Sequence, residues 1–526
     1  MAEFLEVVCR ALGLVAQALA TGGAAFALLV LRSKAAPGDA GPAFRRALRL
    51  AAVGALVVAG VQAFGAALRI AWLADGGDWR VAVTMTTLFG MASLLRISAG
   101  LATALACRSV GRHAANGLAR VALAASALIV TASSALGSHA AGRIDGRIPL
   151  LALDAIHQTA AAVWVGGLIH LVVALGSPGG RRYARVWLPR FSTMALCSVG
   201  ALLVGGLGLT RGYVDGPTAF VTTAYGLMVL TKAVLVVGLL AIGAMNFRAV
   251  RQRAIGLAHA VEAQVGRRAE IEVALGFVGL MVAASLTSLP PAVDALTGRA
   301  TVGDVVSRFT PRWPTLTSPT LAEVEAAAGL PGSDRVRSGE DRAWSVYNHN
   351  VSGLFVMAMG VVASLAGGAR SRWTRHWPLG LTGLAAFVFV RSDPEAWPLG
   401  AIGFWPSLTD PEVLQHRLFV AVVVAFSLFE WLVSTGRLSP SRWGLVFPGA
   451  CIVGAGLLLM HSHAVTDTRA LFLMEVSHTV IALLGLLVGV ARWLEVRRGA
   501  SPGGPLTRVW GAALALVGGV LIFYTE

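Results

Sequence analysis

Apolar residues gather in fourteen runs along this chain of 526 residues, at about 11–31, 46–74, 81–106, 117–137, 150–176, 191–211, 218–245, 270–291, 346–369, 377–391, 413–435, 443–462, 470–493 and 508–525. Most reach the ~20 residues that carry a helix across ~30 Å of hydrocarbon, and the run at 377–391 is the shortest. Lipid offers the backbone no hydrogen bonds, so such runs read as helices that satisfy their own peptide groups. The pattern therefore predicts an all-α, polytopic integral membrane bundle of about 14 transmembrane helices. Residues 292–345 interrupt it with Pro, Gly, Ser and Thr, which reads as a linker with one short helix around 320–329. Three parts follow: an eight-span domain over 1–291, the linker 292–345, and a six-span domain over 346–526.

Composition agrees with lipid as the surrounding medium. The chain is 56% hydrophobic and 13% charged, which excludes an ordinary soluble domain of this size. Its net charge of +16 would suggest nucleic acid in a soluble protein, but the basic residues cluster in every second connection: 32–49, 108–120, 181–190, 248–268, 370–375, 437–442 and 492–508. Asp75, Asp78, Asp145, Asp215, Asp393, Glu395, Asp410, Glu412 and Asp467 mark the alternate connections. This is the positive-inside pattern of a cell inner membrane, with both termini and the linker on the periplasmic side and no nucleic-acid partner. Glu3 and Glu6, rather than a basic stretch, precede the first run, so it reads as a retained span. Cys9, Cys107, Cys197 and Cys451 form no C-x-x-C pair and read as packing residues.

The topology sorts the eleven histidines. His113, His259 and His376 fall in basic inner loops as solvated residues. His139, His349, His416, His461 and His463 lie at outer helix ends, His157 and His478 each about two turns below, and His170 deeper. Ionisable groups in a bilayer are costly and face a bundle interior or a ligand, and imidazole suits copper, zinc and iron while thioether suits Cu(I). Met460 precedes His461-Ser462-His463, and Met474 stands one turn before His478.

A short internal echo adds carboxylates. Ser138-His139-Ala140 followed by Asp154-x-x-His157 returns as Ser462-His463-Ala464 followed by Glu475-x-x-His478. The i, i+3 spacing puts acid and imidazole on one helix face, where Asp154 or Glu475 either orients the ring or shares a ligand role. Arg96 and Lys232 stand in apolar runs and read as snorkelling or paired with a carboxylate.

The segment Leu153-Asp154-Ala155-Ile156-His157-Gln158-Thr159, continuing through Trp164, Gly166-Gly167 and His170, resembles the signature helix of the copper-resistance protein D (CopD) family. Arg190-Phe191-Ser192, Gly205-Gly206, Tyr225-Gly226, Leu230-Thr231-Lys232 and Asn246 are similar to that family's following helices, so that the resemblance covers about 130–290. It implies an inner-membrane protein that moves copper from the periplasm toward the cytoplasm, with His139, His157 and His170 as metal ligands. It also implies a small periplasmic copper-carrier partner, here expected as a separate chain because 292–345 is too short to hold one.

Copper transport is thus the leading expectation, with the copper ion as cargo. The alternative is a b-type haem oxidoreductase with bis-histidine ligation, and a scaffold with structural histidines is a third reading. No H-E-x-x-H, G-x-S-x-G or phosphate loop points to another enzyme. His139 and His157 are expected to approach one another, whereas His170, thirteen residues beyond His157, sits roughly 20 Å further along the axis and belongs to a later station. A second site is expected from His416, His463 and His478, with His349, His461, Met460 and Glu475 as further ligands or their supports.

Overall fold

The computed structural model describes residues 2–31, 41–75, 81–177, 180–254, 261–328, 339–365, 372–439, 443–460, 468–499 and 503–525. The described elements are helical, with one isolated β-bridge between Ala396 and Ile402. The principal helices are α1 (Ala2–Gln17, continued by further helical turns to Leu31), α2 (Gly41–Asp75), α3 (Leu88–Arg112), α4 (Gly117–Ala132), α5 (Arg147–Leu175), α6 (Ala184–Tyr213), α7 (Ala224–Ala254) and α8 (Val261–Leu286). They continue with α9 (Gly339–Ser364), α10 (Leu379–Arg391), α11 (Pro411–Ser434), α12 (Val446–Leu458), α13 (Thr468–Arg498) and α14 (Pro505–Ile522). Each apolar run of the sequence thus holds a helix. Among the described residues, twelve of these helices are long and apolar enough to cross a membrane. The expected count of fourteen spans is reduced because α10 and α12 have 13 residues each, or roughly 20 Å at 1.5 Å per residue. The protein is a polytopic helical membrane protein.

The chain forms two compact units, Ala2–Thr297 and Gly298–Glu526. In the first, α1 changes from α to π geometry at Ala18–Gly22 and again at Phe26–Leu31. Single π turns inside helices re-aim side chains and are frequent at functional sites. This stretch lies against α5 with almost no side chain between: a Cβ on Gly166 would stand 1.8 Å from the Ala18 carbonyl oxygen, and one on Gly22 would stand 2.5 Å from Gly166 Cα. Helices in lipid associate through such close packing, since acyl chains are as apolar as leucine. Phe26, Leu168, Leu171 and Trp187 fill the core beside the contact. Leu105, Leu207 and Val237 stand outward in the same unit, as a lipid-facing surface requires.

The second unit repeats the device. Gly353 and Gly360 on α9 meet Gly518 and Gly511 on α14, where any Cβ would lie within 3 Å of opposing backbone. Both pairs are seven residues apart, two turns, so the small residues form one stripe on each helix. Trp377, Phe447 and Trp510 pack ring against ring beside it.

Candidate metal-handling site

In the first unit, Gly146 at φ 66° turns the chain into α5, which then carries Asp154, His157 and His170 downward. His157 owes its position to α6: added Cβ atoms on Gly205 and Gly206 would lie 2.9 Å from His157 Cβ and 3.1 Å from Cε1, so the two glycines form its seat. The ring's Nδ1 is 2.9 Å from the Leu202 carbonyl. A carbonyl only accepts, so Nδ1 carries the hydrogen and, in the neutral ring, Nε2 keeps the lone pair. His170 follows the same rule. Its Nδ1 donates to the Gly166 carbonyl at 2.7 Å, and its Nε2 is buried without a hydrogen bond, facing Gly23 near Ala47 and Ala51. His139, in the short helix His139–Gly142, donates from Nε2 to the Leu286 carbonyl at 3.1 Å, which leaves its lone pair on Nδ1.

Three imidazoles are thus oriented by backbone, each with one nitrogen available to a metal, and they stand at different levels. His139 lies edge-on to Tyr213 and Tyr225, with ring centroids 6.3 and 6.1 Å away. His157 lies against Gly206, seven residues earlier on α6 than Tyr213, or about 10 Å along the axis. No hydrogen bond or ring contact joins His139 to His157. Among the described residues, no three His, Cys, Asp or Glu side chains gather into a metal cage.

The acid of the Asp-x-x-His pair behaves differently from expectation. Asp154 is buried and accepts from Gln158 Nε2 at 3.0 Å, while His157 is held by Leu202, so the carboxylate does not orient the ring. Lys232 lies within the electrostatic reach of both Asp154 and His157. A cation at His157 therefore meets a positive neighbour whose charge Asp154 offsets. Arg96, expected to snorkel or to meet a carboxylate, donates to the amide oxygen of Gln17 at 2.9 Å.

Two features had no forewarning in the sequence. Above His157, Tyr213 has a buried hydroxyl without a partner, and Arg143 lies over its ring while bridging Asp294 through two bonds of 2.9 Å. At the opposite end of α5 a cavity of about 340 Å³ is lined by Leu175, Gly176, Ser177, Arg181 and Arg182, and its two guanidinium groups disfavour a resting cation.

In the second unit, His461 and His463 lie outside the described residues, and Met460, the last residue before them, is buried. His416 at the start of α11 is 2.6 Å through Nδ1 from Asp393, whose other oxygen accepts from Ser392 at 2.7 Å and lies 3.9 Å from Arg417. Burial pushes the Asp393 carboxyl up, but the hydrogen bonds from His416 and Ser392 and the charges of His416 and Arg417 outweigh it and hold the group below the usual aspartate value. His349 on α9 donates from Nδ1 to the Ser345 carbonyl at 2.8 Å and stacks on Tyr524 at 4.2 Å. Glu475 is buried with Oε2 unbonded, one turn before the half-buried His478 on α13.

Comparison with known proteins falls on the helices that seat His157 and His139. Residues 185–286 match the family model for copper resistance protein D. This segment is similar to that domain. It comprises nearly all of α6, with α7 and α8, and so contains Leu202, Gly205, Gly206 and Leu286. It is shorter than the resemblance over about 130–290, and His139, His157 and His170 lie before it. A relative named copper transport protein CutJ, from Bacillus subtilis (strain 168), is 33% identical over 162 residues, or 30% of this chain. The match spans only 28% of that relative's length. No solved structure matches the chain. The chain is a multi-pass membrane protein, with twelve apolar helices among the described residues, and what it is similar to is copper-related; the comparisons lend the haem alternative no support.

Proposed function

We propose that this protein moves copper ions inward across the inner membrane, from the periplasm toward the cytoplasm, through the first unit. His139, His157 and His170 are successive stations. The observation that carries this reading is their shared preparation: each gives one ring N–H to a backbone carbonyl and keeps its other nitrogen for a metal, two of the three carbonyls belonging to the CopD-like segment. The thirteen residues of α5 between His157 and His170, roughly 20 Å, rule out one ion shared by those two, given metal–nitrogen bonds of ~2 Å, so the ion passes in steps. At His170 the step requires α1 to yield, because Gly23 covers Nε2 and the π turns on either side of it give that stretch an alternative hydrogen-bonding register. A separate periplasmic carrier delivers to His139, and the termini lie in the periplasm, as the basic-loop alternation requires.

In the second unit we retain a site of His416, His463 and His478, with His349, His461, Met460 and Glu475 around it. Its support is the buried, unbonded Glu475 oxygen one turn from His478. The test is copper uptake into liposomes holding the full chain, with metal analysis of the purified protein alongside. His157→Ala and His170→Ala should each slow uptake by about tenfold or more, the scale on which disturbed metal sites lose function. Wild-type uptake in both variants would refute the path. Copper content unchanged in a His463→Ala, His478→Ala double variant would remove the second site.

A further inference from the structure

The second unit buries an ionic group that copper handling does not use. On α11, Glu430 is 0% exposed, and neither carboxyl oxygen has a hydrogen bond among the described residues. It lies fourteen residues beyond His416, about 21 Å down the axis. Across from it on α13, Arg492 Nη2 stands 3.7 Å from Glu430 Oε1, too far for a hydrogen bond, while Nη1 donates to Glu495 Oε2 at 2.6 Å. Glu495 is fully engaged: Trp510 Nε1 donates at 2.8 Å and the Thr507 hydroxyl donates to the other oxygen, both from α14.

Charge counting then decides the state of Glu430. Arg492 and Glu495 already cancel, and Glu495 has three donors, as a carboxylate wants. A second carboxylate would leave one uncompensated negative charge in an apolar core, at a cost of several kcal/mol even after relaxation. Among the described residues, Cys451 on α12 also senses Glu430 and brings no positive charge. Before α10, His376 accepts the indole N–H of Trp431 at 2.8 Å, and the Ser434 hydroxyl donates to the Arg375 backbone carbonyl at 2.8 Å, Trp431 and Ser434 both being on the last turn of α11. The arginine is also poised to move, since its Nε is buried without a partner and Nη2 needs about 1 Å to reach bonding distance of Glu430.

We propose that Glu430 is a proton-binding site in the membrane-spanning part of the second unit, protonated while Arg492 rests on Glu495 and ionised when the guanidinium shifts onto it. The exchange is a simple acid dissociation: the Glu430 O–H bond breaks, its electron pair stays on the carboxylate, and the proton leaves to water. The site stands apart from the copper reading and survives its failure.

Infrared spectroscopy of the full chain in lipid at neutral pH tests it. A protonated-carboxyl C=O band that shifts in deuterated water should be present, should lose one carboxyl's intensity in Glu430→Gln, and should be retained in Glu495→Gln. An unchanged band in Glu430→Gln would overturn the proposal and make the group a plain buried ion pair. Should that variant fail to assemble, dicyclohexylcarbodiimide, which attacks protonated carboxyls in apolar surroundings, is applied to the wild-type protein. Peptide mapping should then find the adduct on Glu430 and not on Glu495; no adduct on Glu430 would equally overturn it.

Discussion

Replacing Gly166 by Ala tests the contact on which the first unit is built. The new Cβ would lie 1.8 Å from the Ala18 carbonyl oxygen, 2.6 Å from Ala18 C and 3.0 Å from Gly22 Cα. Ordinary contacts lie near ~3.5 Å, so α1 and α5 must part by roughly 1.5 Å, and because the obstacles are backbone no side chain can swing away. Overpacking costs typically about 1–3 kcal/mol, and a backbone clash falls at the upper end. Better helix propensity returns up to ~1 kcal/mol, for a net loss of about 2 kcal/mol, or roughly thirtyfold in the folding equilibrium. Gly200→Ala on α6 is the control, since nothing lies within 4 Å of a Cβ there. It should be neutral or slightly stabilising. Both variants are followed by circular dichroism as SDS is titrated into mixed micelles of the full chain. Equal midpoints would refute the reasoning, because the two glycines would then be interchangeable.

Gly205→Ala would press a methyl to 2.9 Å from both His157 Cβ and the Leu153 carbonyl; copper uptake should fall severalfold with the protein still folded, and uptake at the wild-type rate would show that the seat does not position the ring. Asp393→Asn should destabilise the second unit by about 2 kcal/mol at neutral pH, the worth of hydrogen bonds to a charged group. Because the folded value is depressed, this contribution is complete above the unfolded aspartate pKa of about 4 and fades as pH falls through the lower folded value; denaturation midpoints of wild type and variant should therefore converge in acid, and a gap that persists or widens there would contradict the assignment.

Element positions were legible because a twenty-residue apolar run in lipid has one solution, and every run from 11–31 to 508–525 contains a helix. The π turns of α1 were not, since Ala18–Gly22 and Phe26–Leu31 differ from α-helix by a shift in backbone pairing that leaves hydrophobic periodicity almost unchanged. The glycines were visible but mute: Gly166 and Gly206 look alike in sequence, yet one admits the Ala18 carbonyl and the other the His157 ring. Glu272 and Glu430 stand in the sequence as carboxylates inside apolar runs, but nothing in their spacing tells what each one meets. Glu272 accepts from Asn246 Nδ2 at 2.5 Å, a pairing between neighbouring helices that no local spacing announces.

How an imidazole is held decides whether it favours a proton or a metal. A carboxylate that receives a ring N–H also attracts the imidazolium, and the added proton occupies the lone pair a metal would use. A backbone carbonyl fixes the same tautomer with no net charge, leaving metal and proton to compete on the ring's own terms. His139, His157 and His170 are all held by carbonyls, and Asp154, one turn from His157, is turned to Gln158 and set against Lys232 instead. His416 is held by Asp393. In the second unit His349 is held by the Ser345 carbonyl, like the three rings of the first, so His416 is the ring whose partner favours the proton, and the single variants His157→Ala and Glu430→Gln test the metal and proton readings separately because each touches only one of the two chemistries.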